Sequence, residues 1–132
     1  MADLQISIDG GRTSFRPGET ISGSASWRLK KTPKKVAVNL LWYTGGTGDE
    51  DREVVASKPI ANPRNSDECD FAFTLPAEPY SFSGRLITLV WIVELNAGSK
   101  KSVVQQAFTL SPTGNELNIA VDYDVAVERY AP

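Results

Sequence analysis

The chain has 132 residues and a mass of 14.4 kDa, the size of one ordinary domain. Fourteen basic and 16 acidic residues give a formal net charge of −2, so there is no positive excess for generic nucleic-acid binding. There is no histidine, which excludes Ser-His-Asp and Cys-His catalytic groups and histidine metal ligands. The single cysteine, Cys69, excludes intrachain disulfides and zinc sites with several thiolates.

The sequence carries no targeting signal that we recognise. Residues 1–9 contain neither a positively charged region nor a long apolar run, so we expect no secretion signal and a cytoplasmic protein. The longest apolar stretch, 86–93, is much shorter than the roughly 20 residues of a membrane-spanning helix. We therefore expect no transmembrane segment.

The N-terminal third is predicted to form strands, because apolar and polar residues alternate. Residues 4–8 alternate, and Gly10-Gly11 predicts a two-residue hairpin turn into residues 12–15. Pro17-Gly18 predicts a type II turn, since proline fixes φ at its second position and glycine takes the positive φ at its third. Residues 20–29 alternate again, with a serine-rich face that we expect to contact water.

The remaining segments continue the β pattern. Residues 36–43 are apolar on both faces, which predicts a central strand. Further strands are predicted, in chain order, at 53–57, 69–75, 85–95, 102–110 and 117–128. Eight or nine short strands without a helical period predict an all-β fold, a two-sheet antiparallel immunoglobulin-like β-sandwich, with residues 1–132 as a single domain.

Three stretches together resemble an arrestin-type domain. The segment FRPGETISG at 15–23 is similar to the aromatic-x-Pro-Gly-Glu-x-Val-x-Gly signature of that family. Residues 36–42 resemble its next core strand, and residues 71–76, with 83–84 and 89–93, resemble a later strand, a proline-rich turn and the following strand pair. Arrestins carry two lobes, and this chain has room for one, so it resembles arrestin N-terminal domains and bacterial sporulation-control proteins. The resemblance implies a non-catalytic cytoplasmic adaptor or scaffold that binds a protein segment, for example by strand addition.

A lysine-rich turn is the main candidate binding site. Lys30, Lys31, Lys34 and Lys35 place four ammonium groups on one turn, which could contact a phosphorylated peptide, an anionic lipid surface or nucleic acid. The alternative, which we favour, is a solvated turn that keeps a sheet edge from pairing.

Two acidic groups are candidate chemical sites. Residues 49–51 offer oxygen ligands on a glycine-rich loop, but they lack the spacing of a calcium loop, so we expect no metal site. Asp122 and Asp124 share one face of a predicted strand, whereas glycosidase carboxylates come from different elements around a cleft. The sequence therefore predicts neither catalysis nor a cofactor.

The tryptophans define the alternative function. Trp27, Trp42 and Trp91 would form a stacking platform for carbohydrate if they were exposed, so a carbohydrate- or lipid-binding module is the alternative to an adaptor. Each lies among apolar neighbours, which favours core packing. Cys69 alternates in phase with phenylalanines and is predicted to be a small buried hydrophobe.

Self-association is the last expectation from the sequence. Residues 36–43 and 86–95 are apolar on both faces, so something must cover the outer face of their sheet. The candidates are the C-terminal strand of the same chain, that strand exchanged with a neighbour, or a second subunit. We expect a symmetric homodimer, the commonest closed oligomer.

Overall fold

The computed structural model describes residues 3–46, 51–83, 87–98, 102–113 and 117–118. Short strands form almost all of this structure: β1 (Asp3–Ile8), β2 (Ser14–Phe15), β3 (Thr20–Arg28), β4 (Ala37–Gly46), β5 (Asp51–Pro59), β6 (Ser66–Thr74), β7 (Phe82–Ser83), β8 (Ile87–Asn96), β9 (Val103–Leu110) and β10 (Leu117–Asn118). A single turn of 3-10 helix, Asp9–Gly11, follows β1.

The strands form two sheets. The smaller sheet has the order β1-β3-β6 and is antiparallel. The larger sheet has the order β10-β7-β8-β4-β5, with β9 paired to β8 and β2 paired to β9. Two short pairs in it, β2 with β9 and β10 with β7, are parallel. The predicted two-sheet β-sandwich is confirmed.

The core lies between the inner faces of the two sheets. The smaller sheet contributes Ile21, Trp27 and Phe71, and the larger sheet contributes Leu40 and Trp91, all of them buried. Phe108 packs edge-on against Phe15, with ring centroids 5.6 Å apart. Alternate residues of β3 are buried, as the period-two pattern predicts.

The position of β4 follows the sequence prediction closely. Its partners are β5 on one side and β8 on the other, both antiparallel, so it is a central strand. Val38 and Leu40 are fully buried toward the core, and Leu41 is buried on the opposite face. At the middle of this strand, around Leu40 and Leu41, both faces therefore exclude water.

The predicted hairpin at Gly10-Gly11 is wrong. β1 pairs with β3, and after the 3-10 turn the chain crosses to the larger sheet, where β2 pairs with β9. Both glycines have positive φ, 70° and 63°, as a tight turn would require. The two glycines do form a turn, but a turn does not by itself determine that the strands before and after it pair with each other.

The Pro17-Gly18 turn is present as predicted. Gly18 has φ 84°, and the Glu19 N–H donates to the Arg16 carbonyl over 3.1 Å, as in a type II turn. The turn also binds the end of the smaller sheet: the Gly18 N–H donates to the Leu75 carbonyl, and the Leu75 N–H donates to the Glu19 carbonyl. The signature segment thus fixes the entry into β3.

Several sequence-based interpretations fall outside the described residues. These are most of the acidic run 49–51, of which only Asp51 is described, the Asp122 and Asp124 pair, and the C-terminal strand beyond residue 118.

Candidate functional site

The structure separates the four lysines of the candidate site into two pairs. All four side chains are exposed. Lys34 and Lys35 line a cleft of about 400 Å³ together with Ala37, Asn39, Asn96 and Gly98, whereas Lys30 and Lys31 do not line it. The turn therefore places one lysine pair at this cleft and the other pair outside it.

Strand pairing explains why the cleft has its composition. Ala37 lies opposite Asn96, so the ends of β4 and β8 form its floor beside the lysine turn. The Gly98 N–H donates to the Asn96 Oδ1 over 2.9 Å, and the φ of Gly98 is 97°. A Cβ at Gly98 would crowd the Lys35 carbonyl oxygen, so a glycine lets the two segments lie close together.

A row of polar side chains crosses the outer face of the larger sheet, next to this cleft. Ser57, Asn39, Glu94 and Gln105 lie directly opposite one another on β5, β4, β8 and β9. Ser57 donates to Asn39 over 2.6 Å, and Asn39 and Gln105 donate to the Glu94 carboxylate over 3.4 and 3.0 Å. Glu94 is only 2% exposed. We call these four residues the polar row.

Arg52 also binds Glu94, although it lies further along the sheet than the polar row. Its guanidinium donates to Glu94 Oε2 over 2.7 Å. Arg52 lies opposite Tyr43, and Glu94 lies opposite Asn39. The Arg52 side chain therefore has to extend past Leu41, which lies between Asn39 and Tyr43 on the same face of β4. The aliphatic part of an arginine can cover apolar surface in this way. Leu41 and its neighbour Ile92 are buried on this outer face.

Neither the alternation of the strands nor a sequence motif predicts the polar row. Asn39 and Glu94 are single polar residues within otherwise apolar strands, and a buried carboxylate needs hydrogen-bond partners. Pairing those two interruptions would have indicated the register of β4 against β8.

Strand β5 forms an exposed edge of the larger sheet. Val54 and Val55 are 49% and 41% exposed, and they are the large exposed hydrophobic residues of the described structure. They adjoin a bulge, because Leu40 pairs with Ala56 and the next residue, Leu41, pairs with Val54. Lys58, near the end of the strand, donates to the Asp70 carbonyl on β6, the edge of the other sheet.

The three tryptophans differ in exposure. Trp27 and Trp91 are buried, and their indole N–H groups donate to the carbonyls of Arg64 and Pro79 over 2.8 and 2.7 Å. Trp42 is only partly buried against the core. Core packing is thus confirmed for two of the three, and Trp42 is more exposed because it lies near the end of the sheet, opposite exposed Glu53.

Cys69 is half-buried rather than fully buried, because it lies on β6 at the edge of the smaller sheet. Burial raises the pKa of its thiol, and Asp70 and Asp67 raise it further against an opposing effect of Lys58. A raised pKa disfavours the nucleophilic thiolate.

A second cleft, lined in part by Arg12, Phe15 and Arg16, lies beside the Pro-Gly turn. The Arg12 guanidinium lies 4.3 Å from the centroid of the Phe15 ring and 3.1 Å from the Glu19 carboxylate. The Arg16 N–H and Arg12 hold the pKa of Glu19 below its usual range. The charge of Arg12 is thus already compensated by Glu19 within this cleft.

The part of the chain that the structure describes contains no group of three or more acidic or cysteine side chains arranged to hold a metal ion. Within the same residues there is also no helix with the length and apolarity needed to cross a bilayer.

The strand order and the two packed sheets define an arrestin-like β-sandwich. The solved structures similar to it include Spo0M, a sporulation control protein from Bacillus subtilis, with a TM-score of 0.55 and 12% sequence identity. That match covers 97% of this chain and 54% of the Spo0M chain, so this chain spans about half the length of that protein. The likeness confirms the arrestin-type fold expected from residues 15–23.

A β-glucosidase from Listeria innocua, in complex with gluconolactone, also matches at 13% identity. It covers 89% of this chain and 16% of that chain with a TM-score of 0.48. No protein-family model and no curated protein sequence matches the chain.

Proposed function

We propose that the chain is a non-catalytic adaptor or scaffold domain that binds an acidic segment of a partner protein in the cleft at Lys34 and Lys35. The observation that carries the proposal is that two lysines, two asparagines and an alanine line one concave surface. The arrestin-like fold, as a single lobe spanning residues 1–132, is the scaffold for this surface. We assign it to the cytoplasm, where a free thiol such as Cys69 stays reduced.

The chemistry of the cleft favours a carboxylate-bearing protein segment. Lysine ammonium groups attract an anion. The carboxamide oxygens of Asn39 and Asn96 already accept from Ser57 and the Gly98 N–H, so their amide N–H groups are the donors for a carboxylate beside the lysines. Ala37 offers aliphatic contact for the neighbouring methylene groups of such a segment. No nucleic acid, metal or cofactor is part of the proposal.

The carbohydrate- or lipid-binding alternative is less well supported. Carbohydrate stacking requires an exposed aromatic face, and the rings of Trp27 and Trp91 are buried with both indole N–H groups bonded to backbone carbonyls. Catalysis is also disfavoured, because the chain lacks histidine and its single thiol has a raised pKa.

A peptide-display selection with the wild-type protein as bait tests the proposal. We expect it to recover acidic peptides, and we expect the variant K34S/K35S to bind them at least about tenfold more weakly, which corresponds to about 1.4 kcal/mol. K30S/K31S is the matched control, because it removes the same charge from the same turn outside the cleft.

Both variants should unfold within about 0.5 kcal/mol of the wild type, since all four side chains are exposed. Equal weakening by the two variants would mean that only the net charge of the turn matters. Selection of peptides without acidic residues would overturn the proposal.

We also retain the homodimer as a proposal, with a changed location. Leu41 and Ile92 are already buried on the outer face of the larger sheet. That face therefore does not need a second copy to cover it, and among the described residues the large exposed apolar side chains lie on the β5 edge instead.

A further inference from the structure

The β5 edge combines exposed apolar residues with backbone groups on its outer side that no other described strand pairs with. Val54 and Val55 lie at its centre, and acidic residues precede them while Lys58 follows. An edge strand of this kind can pair with another strand, and proteins usually restrict that pairing with charges, prolines and bulges. Pro59 and the bulge beside Val55 restrict the registers in which another strand can pair with β5.

The alternation of inward and outward backbone groups along β5 changes phase at the bulge. The Ile60 N–H donates to the Val36 carbonyl, and the Asp51 N–H donates to the Thr44 hydroxyl, so both ends point toward β4. The backbone groups of successive strand residues point alternately toward and away from the neighbouring strand. Counting inward from Asp51 and from Ile60, the backbone groups of Arg52 and Ser57 point away from β4. In a regular strand, residues five apart would point in opposite directions, so the bulge is what gives both of them outward N–H and carbonyl groups.

The side chains on the two sides of the bulge are also arranged symmetrically. Asp51 and Lys58 lie opposite Thr44 and Val38, on the core side of the sheet, while Arg52 and Ser57 lie on its outer face. Antiparallel pairing about a two-fold axis places residues of one face side by side. A register with Arg52 opposite Ser57 therefore also sets Asp51 opposite Lys58, and it brings the two valine pairs together at the centre.

We propose that two copies of this chain pair their β5 strands antiparallel in this register, which joins the two larger sheets into one continuous sheet. This inference rests on the proposed homodimer and assigns it a contact. Opposite charges meet twice, because the axis repeats the contact between Asp51 and Lys58 of the second copy. Shifting the register by two residues in one direction would place Pro59, which has no N–H, opposite Arg52, and a shift in the other direction would separate Asp51 from Lys58.

Lys58 is held in place for this contact within its own chain. Its ammonium group donates to the Asp70 carbonyl at the edge of β6. A lysine ammonium has three N–H donors, so two stay available for a carboxylate. The same hydrogen bond closes the open side between the two sheets, where β5 and β6 are both edges.

Charge reversal gives a test that depends on the register. D51K and K58D each place like charges opposite one another, and we expect each to raise the dimer dissociation constant at least tenfold in sedimentation equilibrium. Mixing the two variants restores opposite charges at both contacts, so the mixture should form a heterodimer with near wild-type affinity. R28D, which makes the same charge change as K58D on β3 of the other sheet, should leave dimerisation unchanged.

The outcomes separate this inference from the proposed dimer and from the adaptor function. A wild-type monomer throughout the micromolar range would overturn both the dimer and its β5 contact. A wild-type dimer that D51K and K58D leave intact, or a mixture that does not associate, would overturn the β5 register alone. Binding of acidic peptides at the lysine cleft is measured independently and would be unaffected by either result.

Discussion

The outer faces of the two sheets differ in how they meet water. On the smaller sheet, Ser22, Ser24 and Ser26 form a half-buried polar face that follows directly from the alternation of β3. On the larger sheet, Leu41 and Glu94 are both buried on the outer face. A strand pattern that is apolar on both sides therefore does not require a second domain or subunit, because a long side chain such as Arg52 from a neighbouring strand can cover it.

The smaller sheet depends on close packing of backbone, and Gly23 is where this can be broken most severely. A Cβ at Gly23 would overlap the Ser7 carbonyl oxygen and crowd Ile8 and Phe71. We expect Gly23→Ala to lower the free energy of unfolding by about 3 kcal/mol or more, measured by urea denaturation, because β1 and β6 would have to move.

Gly45→Ala is the matched control on the larger sheet. Nothing lies within 4 Å of a Cβ at that position, and its φ is not in the left-handed region. The free energy of unfolding should change by less than about 1 kcal/mol. If both alanine variants lost similar stability, the close approach of β1 to β3 would not be what requires Gly23.

The larger sheet should be most sensitive at the Arg52 and Glu94 ion pair. Arg52→Met keeps much of the aliphatic cover but leaves Glu94 buried without its cation. Breaking a fully buried pair costs about 3–5 kcal/mol, and the Arg52 side chain is 48% exposed, so we expect a smaller loss of about 2 kcal/mol. Urea denaturation of the variant measures this loss.

The double variant Arg52→Met/Glu94→Leu distinguishes electrostatics from packing. Replacing both members of a buried ion pair by apolar residues is often nearly neutral. The double variant should therefore lose about 1 kcal/mol less than the sum of the two single variants. Simple additivity would show that Arg52 acts as cover alone and that its charge contributes little.

The sequence predicted the fold because its strands alternate and its turns carry specific residues. The positive φ of Gly18, the burial of Trp27 and the central position of β4 all depend on local patterns or on hydrophobicity. The route after Gly10-Gly11 was not predictable in this way, because the pairing of β2 with β9 joins residues about 95 positions apart.

The candidate site could be predicted only in part. Exposure of Lys34 and Lys35 follows from their turn, but the cleft needs Asn96, which comes from a strand distant in sequence. The sequence predicts only residues 53–57 of β5 as a strand, because the charged residues at its ends conceal its full length from a hydrophobicity pattern. Sites made where distant segments meet require the register, which a single sequence does not contain.

Cys69 provides the smallest expected effect, and it probes the edge of the smaller sheet. Burial raises the pKa of this thiol, so its thiolate fraction at pH 8 is lower than that of an ordinary cysteine. We expect iodoacetamide to alkylate the folded protein more slowly than the protein in urea, where the thiol is fully hydrated.

Slow access alone would also reduce the rate, so the rate must be followed against pH. A raised pKa shifts the midpoint of the folded protein's profile to higher pH, whereas restricted access lowers the rate equally at every pH. A folded-state midpoint at or below that of the unfolded chain would show that β6 leaves Cys69 open to water and that the edge is looser than the structure has it.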